Sequence, residues 1–176
     1  MNNRYKSIFG WSTDQEQGEL IRRVAPLLPP SINAVEIGAF YGRSTVLICD
    51  TLKDERIQYT YTAVDNYTQS KHIDIKDHVK ASCKTVGAEL LECDLAKSDK
   101  FKEESLDFIY IDCKDVDKFK AIVKEWLPKL KVNGVISGNM QDPVIKTAVL
   151  SLFDGYDWVN NQFYFIKPKQ KKDKLS

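Results

Sequence analysis

The stretch "AVEIGAFYGRST", residues 34 to 45, decides the fold of this chain. A short apolar run leads into two glycines, Gly38 and Gly42, and the residues that follow have helical periodicity. A strand that meets a glycine turn and then a helix is the first unit of an open α/β fold, in which the turn lies against a ligand. The stretch therefore predicts a ligand-binding turn, and its spacing limits which ligand fits.

The sequence on both sides continues the same alternation. A lead-in helix is predicted over residues 13–28, capped by Ser12 or Thr13 and ended by two prolines. The predicted strands are "AVEI", "YTYTAVD", "AELLECD", "LDFIYID" and "GVISG", with helices between most of them and a terminal hairpin in "DWVNNQFYFIKP". Such alternation predicts an α/β fold with a mostly parallel sheet and helices on both faces. Its strands end at or near Gly38, Asp65, Asp94 and Asp112, which should line one crevice.

Composition indicates one soluble domain, residues 1–168. The chain has 176 residues, a net charge of +1 and 43% hydrophobic residues, so nothing global draws it to nucleic acid or to a membrane. No signal peptide or membrane span is readable. The four cysteines form no C-x-x-C pair, which is typical of reduced thiols in a cytoplasm. The lysine-rich tail, residues 169–176, is predicted to be disordered.

Three ligands compete for the glycine turn. A triphosphate-binding P-loop has a spacing one residue longer and a lysine where this chain has Arg43. A dinucleotide fingerprint has a second glycine where Phe40 stands, and this aromatic side chain would crowd a pyrophosphate. S-adenosylmethionine fits the whole array. Its carboxylate would lie on the amides of residues 42–44, its ammonium near Glu36 and the turn, and its ribose on Asp65. Its adenine amine would meet Asp94, and either Leu95 or Tyr67 would pack the ring.

The motifs also carry a family resemblance. In order, "VEIGAFYGRST", "YTAVDNY", "LLECDLA" and "LDFIYID…WLPKLKVNGVISG" resemble the motifs of the class I S-adenosylmethionine-dependent methyltransferases. With the lead-in "GW…EQGEL", the chain is similar to a small bacterial and phage group related to catechol and sugar O-methyltransferases. The resemblance covers residues 10–168 and implies a Rossmann-like sheet of seven strands. It implies these cofactor-binding residues: Glu36, Gly38, Ala39, Tyr41, Gly42, Ser44, Asp65, Asn66, Asp94, Leu95 and Asp112.

The resemblance implies methyl transfer to a small polar acceptor, such as the oxygen of a sugar. Its candidate catalytic residues are Asp112, Lys114 and Asp115. Metal-assisted relatives bind magnesium through an aspartate after the fourth strand and an Asp-Asn pair after the fifth, and Asp112 and Asn139 stand at matching positions here. The paired acid of those relatives is replaced here by Gly138, and the histidines of others are missing.

Several alternatives stay open. The missing groups leave room for a cofactor-binding protein without catalysis, and the lysine tail for an RNA or protein methyltransferase. His72 and His78 are predicted to be solvated. Phe9, Trp11 and Tyr41 form either an acceptor wall or part of the core. The hairpin segment "WVNNQFYFI" is a candidate homodimer edge.

Overall fold

The computed structural model describes residues 4–9, 14–67 and 75–169. The helices are α1 (Asp14–Val24), α2 (Arg43–Asp54), α3 (Ile75–Val86), α4 (Val116–Trp126) and α5 (Pro143–Leu152). The strands are β1 (Ser31–Ile37), β2 (Gln58–Asp65), β3 (Glu89–Glu92), β4 (Leu106–Ile111), β5 (Leu130–Asn139), β6 (Asp157–Val159) and β7 (Gln162–Ile166). Short 3₁₀ turns cover Arg4–Ser7, Ala25–Leu27 and Leu127–Lys129.

The strands form one seven-stranded sheet in the order β3-β2-β1-β4-β5-β7-β6. Strands β1 to β5 pair in parallel, whereas β7 is antiparallel to both β5 and β6. The predicted fold class, a mostly parallel sheet with an antiparallel C-terminal hairpin, is therefore confirmed. The hairpin turns at the two asparagines, as the sequence predicted.

Alternate side chains of the central strands pack against helices on opposite faces of the sheet. Ala34 and Phe108, paired across β1 and β4, lie in the hydrophobic cluster that includes α1 and α2. Their neighbours Val35 and Ile109 lie in the cluster that includes α4 and α5. Both faces are thus covered, which explains why the central strands are almost entirely apolar.

Several element ends differ from the prediction, and two of them differ by four residues. Helix α1 ends at Val24 instead of residue 28, because Pro26 lacks the amide that would continue the helical bonding and a 3₁₀ turn follows. Strand β5 begins at Leu130, four residues before the predicted "GVISG". Its first half contains Lys131 and Asn133, which hide the strand pattern, and its pairing with β4 shifts register between Leu106 and Phe108.

The end of α3 and the absence of a membrane span were also predicted from the sequence. Gly87 follows α3 with φ +74°, the left-handed conformation that ends many helices. Among residues 4–9, 14–67 and 75–169, no helix is long and apolar enough to cross a membrane. The predicted cap of α1 at Ser12 or Thr13 and most of the lysine tail, residues 170–176, lie outside the described residues.

Candidate functional site

The predicted crevice lies where the strand order reverses. From β1 the chain passes through α2 to β2 on one side, while β4 lies on the other side of β1. The amide of Asp112 donates to the carbonyl of Ile37 at 3.0 Å, and the amide of Gly38 donates to Val64 at 2.9 Å. The glycine turn and the segments after β2 and β4 therefore meet at one point, which is where open α/β sheets bind ligands.

Gly38 lies where two backbones approach too closely for any side chain. Its φ is +95°, and a Cβ built on it would stand 2.3 Å from the carbonyl oxygen of Asp112. Gly42 has φ +80°, and its amide donates to the carbonyl of Ala39 at 2.7 Å. The two glycines therefore allow a tight turn that lies directly against the end of β4.

Helix α2 starts without a side-chain cap, because its N-cap residue is Gly42. Asp115 caps α4, and its carboxylate accepts the amides of Asp117 and Lys118 at 3.0 Å. Asp142 caps α5, and its carboxylate accepts the amide of Val144 at 2.8 Å. The first amides of a helix carry partial positive charge, and an anionic ligand can use them when no side chain does. The start of α2 is thus suited to a carboxylate.

Glu36 lies behind this turn and has 0% of its surface exposed. One carboxylate oxygen accepts the hydroxyl of Ser44 and the other accepts the hydroxyl of Thr45 at 2.5 Å, with the Tyr61 hydroxyl at 3.4 Å. Burial raises the pKa of Glu36 to about 7, nearby Asp112 raises it further, and the hydroxyl bonds oppose the shift. The Glu36 carboxylate thus has no exposed surface in this structure and bonds protein hydroxyls.

Asp65, at the end of β2, connects two loops of the crevice. One of its oxygens accepts the amide of Phe40 at 2.8 Å, and the other accepts the amide of Tyr67 at 2.9 Å. Phe40 and Tyr67 have φ +48° and +51°, left-handed conformations that side chains adopt only when the surroundings hold them. Each oxygen keeps a second lone pair, so Asp65 can still accept from a diol. Asn66, between the two loops, is half-buried.

Asp94 and Leu95 follow β3 near the edge of the parallel strands. Asp94 is exposed, and its carboxylate accepts the amide of Ala96 at 3.0 Å, which makes a local turn. Leu95 is half-buried, and its carbonyl accepts the indole N–H of Trp126 at 2.7 Å. The structure therefore shows a turn-forming role for Asp94 and a fixed backbone at Leu95.

The three candidate catalytic residues follow β4. Asp112 is half-buried by surface area, burial raises its pKa to about 6, and Lys114 opposes that shift. Lys114 and Asp115 are exposed. Because Asp115 caps α4, its carboxylate already has a structural role. Asp112 is thus the acid of this loop that lies against the glycine turn.

Asn139 ends β5, and its side-chain oxygen accepts the amide of Gln141 at 2.8 Å. Across the part of the chain that the structure describes, no three or more His, Cys, Asp or Glu side chains gather closely enough to hold a metal ion. Asp112 therefore has no cluster of further His, Cys, Asp or Glu side chains around it, among the described residues, that could complete a metal site with Asn139. His78 is exposed on α3, and His72 lies outside the described residues.

An aromatic group stands beside the turn. The ring of Phe9 lies 5.4 Å from that of Tyr41 and is 59% exposed, and Tyr41 contacts Phe40 edge-on at 4.5 Å. Arg43 anchors this segment, since its guanidinium donates to the carbonyl of Ile8 at 2.9 Å. Trp11, the third expected aromatic residue, lies outside the described residues. Phe9 and Tyr41 are placed at the surface of the turn, where an acceptor wall would stand.

Sequence reasoning missed two polar groups near the crevice. The first is Thr45, whose hydroxyl donates to Glu36 in the structure but was not predicted to do so. The second is a set of polar contacts between α1 and the hairpin. Glu16 accepts from Asn161 at 2.9 Å, and Glu19 accepts from Asn160 at 2.6 Å. Gln17 donates to the hydroxyl of Tyr110, which in turn donates to Gln162. The signal was the lead-in "EQGEL", in which Gln17 occupies the buried face of an amphipathic helix.

Comparison with known proteins agrees with this geometry. A family model described as a methyltransferase domain matches residues 35–139, which include the glycine turn and Asp65, Asp94, Asp112 and Asn139. No curated protein sequence matches the chain.

Many solved structures are similar to the chain, and three of them illustrate the likeness. An S-adenosylhomocysteine-bound methyltransferase of Podospora anserina, PaMTH1, has 16% identity and a TM-score of 0.68, covering 95% of this chain and 85% of its own. CalS11, a TDP-rhamnose 3′-O-methyltransferase of calicheamicin biosynthesis, has 13% identity and a TM-score of 0.57, with coverages of 85% and 76%. An rRNA methylase from Streptococcus thermophilus has 14% identity and a TM-score of 0.63, with coverages of 86% and 95%.

At these identities the solved structures show the fold. The family model supports more, because it covers more than half of the chain and falls on the crevice. The chain therefore belongs to the methyltransferase domain family, as its resemblance to the class I S-adenosylmethionine-dependent methyltransferases indicated.

Proposed function

We propose that this protein transfers a methyl group from S-adenosylmethionine to an oxygen of a small polar acceptor, such as a sugar. The observation that carries the proposal is the family match, which falls on the crevice with the uncapped start of α2. The similarity to CalS11, a sugar O-methyltransferase, supports the acceptor class. In-line transfer from a sulfonium depends mainly on holding the acceptor close and aligned.

The residues present fit the cofactor. The amides at the start of α2 would receive its carboxylate, and Asp65 would accept its ribose diol through the lone pairs that Phe40 and Tyr67 leave free. The backbone carbonyls of the glycine turn are better placed than buried Glu36 to face the ammonium, because Glu36 has no exposed surface. Asp94 and Leu95 would lie on the adenine side. Bound there, the cofactor supplies a methyl group on a positively charged sulfur.

The chain's own chemistry is proton removal and positioning. An acceptor hydroxyl keeps its proton until a base takes it, and Asp112 or Lys114 is the candidate base. With a pKa of about 6, Asp112 is mostly ionised at neutral pH and can accept a proton. Asp115 is less suited because it caps α4. The donor set around Asp112 and Asn139 does not make a metal site among the described residues, so no step through a magnesium ion is derived.

Two further properties belong to the same proposal. All four cysteines are free, and two of them are buried, which supports a reducing compartment such as the cytoplasm. A homodimer edge at the hairpin is supported by Trp158, which is 63% exposed beside the ring of Tyr156. Sedimentation of the wild type and of Trp158→Ser tests this edge, since only the wild type should dimerise.

Calorimetry with S-adenosylhomocysteine tests the cofactor. Absence of binding heat would refute the proposal. Transfer of labelled methyl from S-adenosylmethionine into a metabolite extract then tests the acceptor class, with total RNA and a protein extract as parallel acceptors. Label in small molecules supports the proposal, whereas label in RNA would favour the class of the similar rRNA methylase. Binding without transfer to any of the three would favour a cofactor-binding protein.

A further inference from the structure

The first turn of α2 is held from behind by a single carboxylate. Glu36 on β1 accepts the hydroxyls of two successive helix residues, Ser44 and Thr45. Thr45 has 0% of its surface exposed, so its hydroxyl faces the protein interior. The orientation of the helix start relative to β1 is therefore set by bonds inside the protein.

These bonds to Glu36 matter because the start of α2 has no side-chain N-cap hydrogen bond, whereas α4 and α5 each have such a cap. Asp115 accepts two of the first amides of α4, and Asp142 accepts one of the first amides of α5. Gly42 has no side chain to do so, and both Gly38 and Gly42 adopt left-handed conformations. If the amides are kept for a ligand, their direction must be fixed from the far side, and the carboxylate of Glu36 is the group placed to do this.

We infer that Thr45 is a positioning residue of the cofactor site, acting through Glu36 to aim the first amides of α2. The inference rests on the proposed function, since it assigns the cofactor carboxylate to those amides. Thr45 is not a catalytic residue, because it touches neither cofactor nor acceptor. Its hydroxyl is needed, whereas its methyl group only fills space.

The chain offers a matched control in Thr51. It lies in the same helix, is also 0% exposed, and donates its hydroxyl to the carbonyl of Leu47 at 2.8 Å. Replacing either threonine with valine removes one buried hydroxyl and keeps the shape of the side chain. Only the change at Thr45 removes a bond to Glu36 and leaves a buried carboxylate oxygen without that donor.

The test is calorimetry of S-adenosylhomocysteine with the full-length chain. Thr45→Val should weaken binding by about tenfold, because a displaced turn loses part of one charge-assisted contact. Thr45→Ser, which keeps the hydroxyl, should bind within about threefold of the wild type, as should Thr51→Val. Urea unfolding of each variant measures the accompanying change in stability.

The outcomes separate the two proposals. If the wild type gives no binding heat, the proposed function fails and this inference fails with it. If the wild type binds but Thr45→Val binds equally well, or Thr51→Val loses as much affinity as Thr45→Val, the inference alone is overturned. If Thr45→Val does not fold, Thr45→Ser decides, since a tenfold loss of affinity in that variant would contradict a role of the hydroxyl.

Discussion

Replacing Gly38 with alanine tests the close approach of β1 and β4 at the crevice. Two penalties act together. The backbone of Gly38 has φ +95°, a conformation that costs alanine about 1 kcal/mol. The new Cβ would stand 2.3 Å from the carbonyl oxygen of Asp112, whereas real Cβ atoms stay beyond 3.0 Å from such neighbours. The two backbones must therefore separate by roughly 0.7 Å at a rigid strand end, an overpacking that costs about 2 kcal/mol.

Alanine substitutions at two other glycines measure the backbone penalty and the steric penalty separately. Gly87 has φ +74° and no atom within 4 Å of its Cβ position, so Gly87→Ala should cost only about 1 kcal/mol. Gly138 has no left-handed φ, but its Cβ would stand 2.4 Å from the carbonyl oxygen of Ile111, so Gly138→Ala should show the steric cost, about 2 kcal/mol. We expect about 3 kcal/mol for Gly38→Ala, a decrease in Tm of roughly 6 to 12 °C.

Urea unfolding and calorimetry with S-adenosylhomocysteine are the assays. Gly38→Ala should lose both stability and ligand affinity, because the displaced strand end carries the turn that would hold the ligand. Gly87→Ala, at the far end of α3, should keep its affinity. If Gly38→Ala is no less stable than Gly87→Ala, the contact with Asp112 yields easily and the turn is not held as described.

Three further predictions use other parts of the site. Burial raises the pKa of Glu36 from 4.5 to about 7, so the folded state binds a proton that the unfolded chain releases, and the contribution of Glu36 to stability should fall by roughly 3 kcal/mol as pH rises from 4.5 to 7. Asp112, whose pKa burial raises to about 6, acts in the same direction and should account for the slope that remains in Glu36→Gln. Glu36→Gln should flatten that part of the urea-unfolding pH profile, and an unchanged slope would contradict the burial effect. Asp65→Ala should weaken S-adenosylhomocysteine binding at least about tenfold, because it releases the two loops whose amides Asp65 binds. Asp94→Ala should weaken binding by less than about threefold, because Asp94 forms only a local turn. Equal losses of affinity would argue against Asp65 as the main binding carboxylate of the two. Asn161→Asp should destabilise the fold by about 1 kcal/mol by opposing Glu16, and adding Glu16→Gln should restore thermal stability; no recovery would separate the two residues energetically.

Much of the fold was predictable because local patterns carry it. Alternating strands and helices indicated the parallel sheet, and the residues after each strand indicated the crevice. Gly38 was recognised as part of a tight turn from its spacing to Gly42 alone. The distance to Asp112 needed the structure, because strand order determines which backbone lies beside the turn.

The site's inner contacts were less predictable. Glu36 was expected to face the ligand, since an acid next to a glycine turn is as consistent with ligand contact as with internal bonding. Its hydroxyl partners, Ser44 and Thr45, lie eight and nine residues away, and only the packing of α2 on β1 brings them together. Likewise, Asp115 follows a strand as Asp112 does, yet it caps the next helix. A carboxylate near a strand end has several uses, which sequence spacing does not distinguish.

The bonds between α1 and the hairpin also have a consequence for the order of synthesis. Glu16 and Asn161 are separated by 145 positions, so the polar partners of α1 leave the ribosome only after the five parallel strands have been synthesised. Until the hairpin emerges, the buried amide of Gln17 has no Gln162 to complete its link through Tyr110. Contacts between such distant segments form slowly, because a long loop must close first. The apolar face of α1 packs mainly against α2, which is synthesised soon after it, so this contact can form early. The polar bonds to the hairpin should form later, and they close the link between the two ends of the sheet's covering layer only once residues 160–162 are in place.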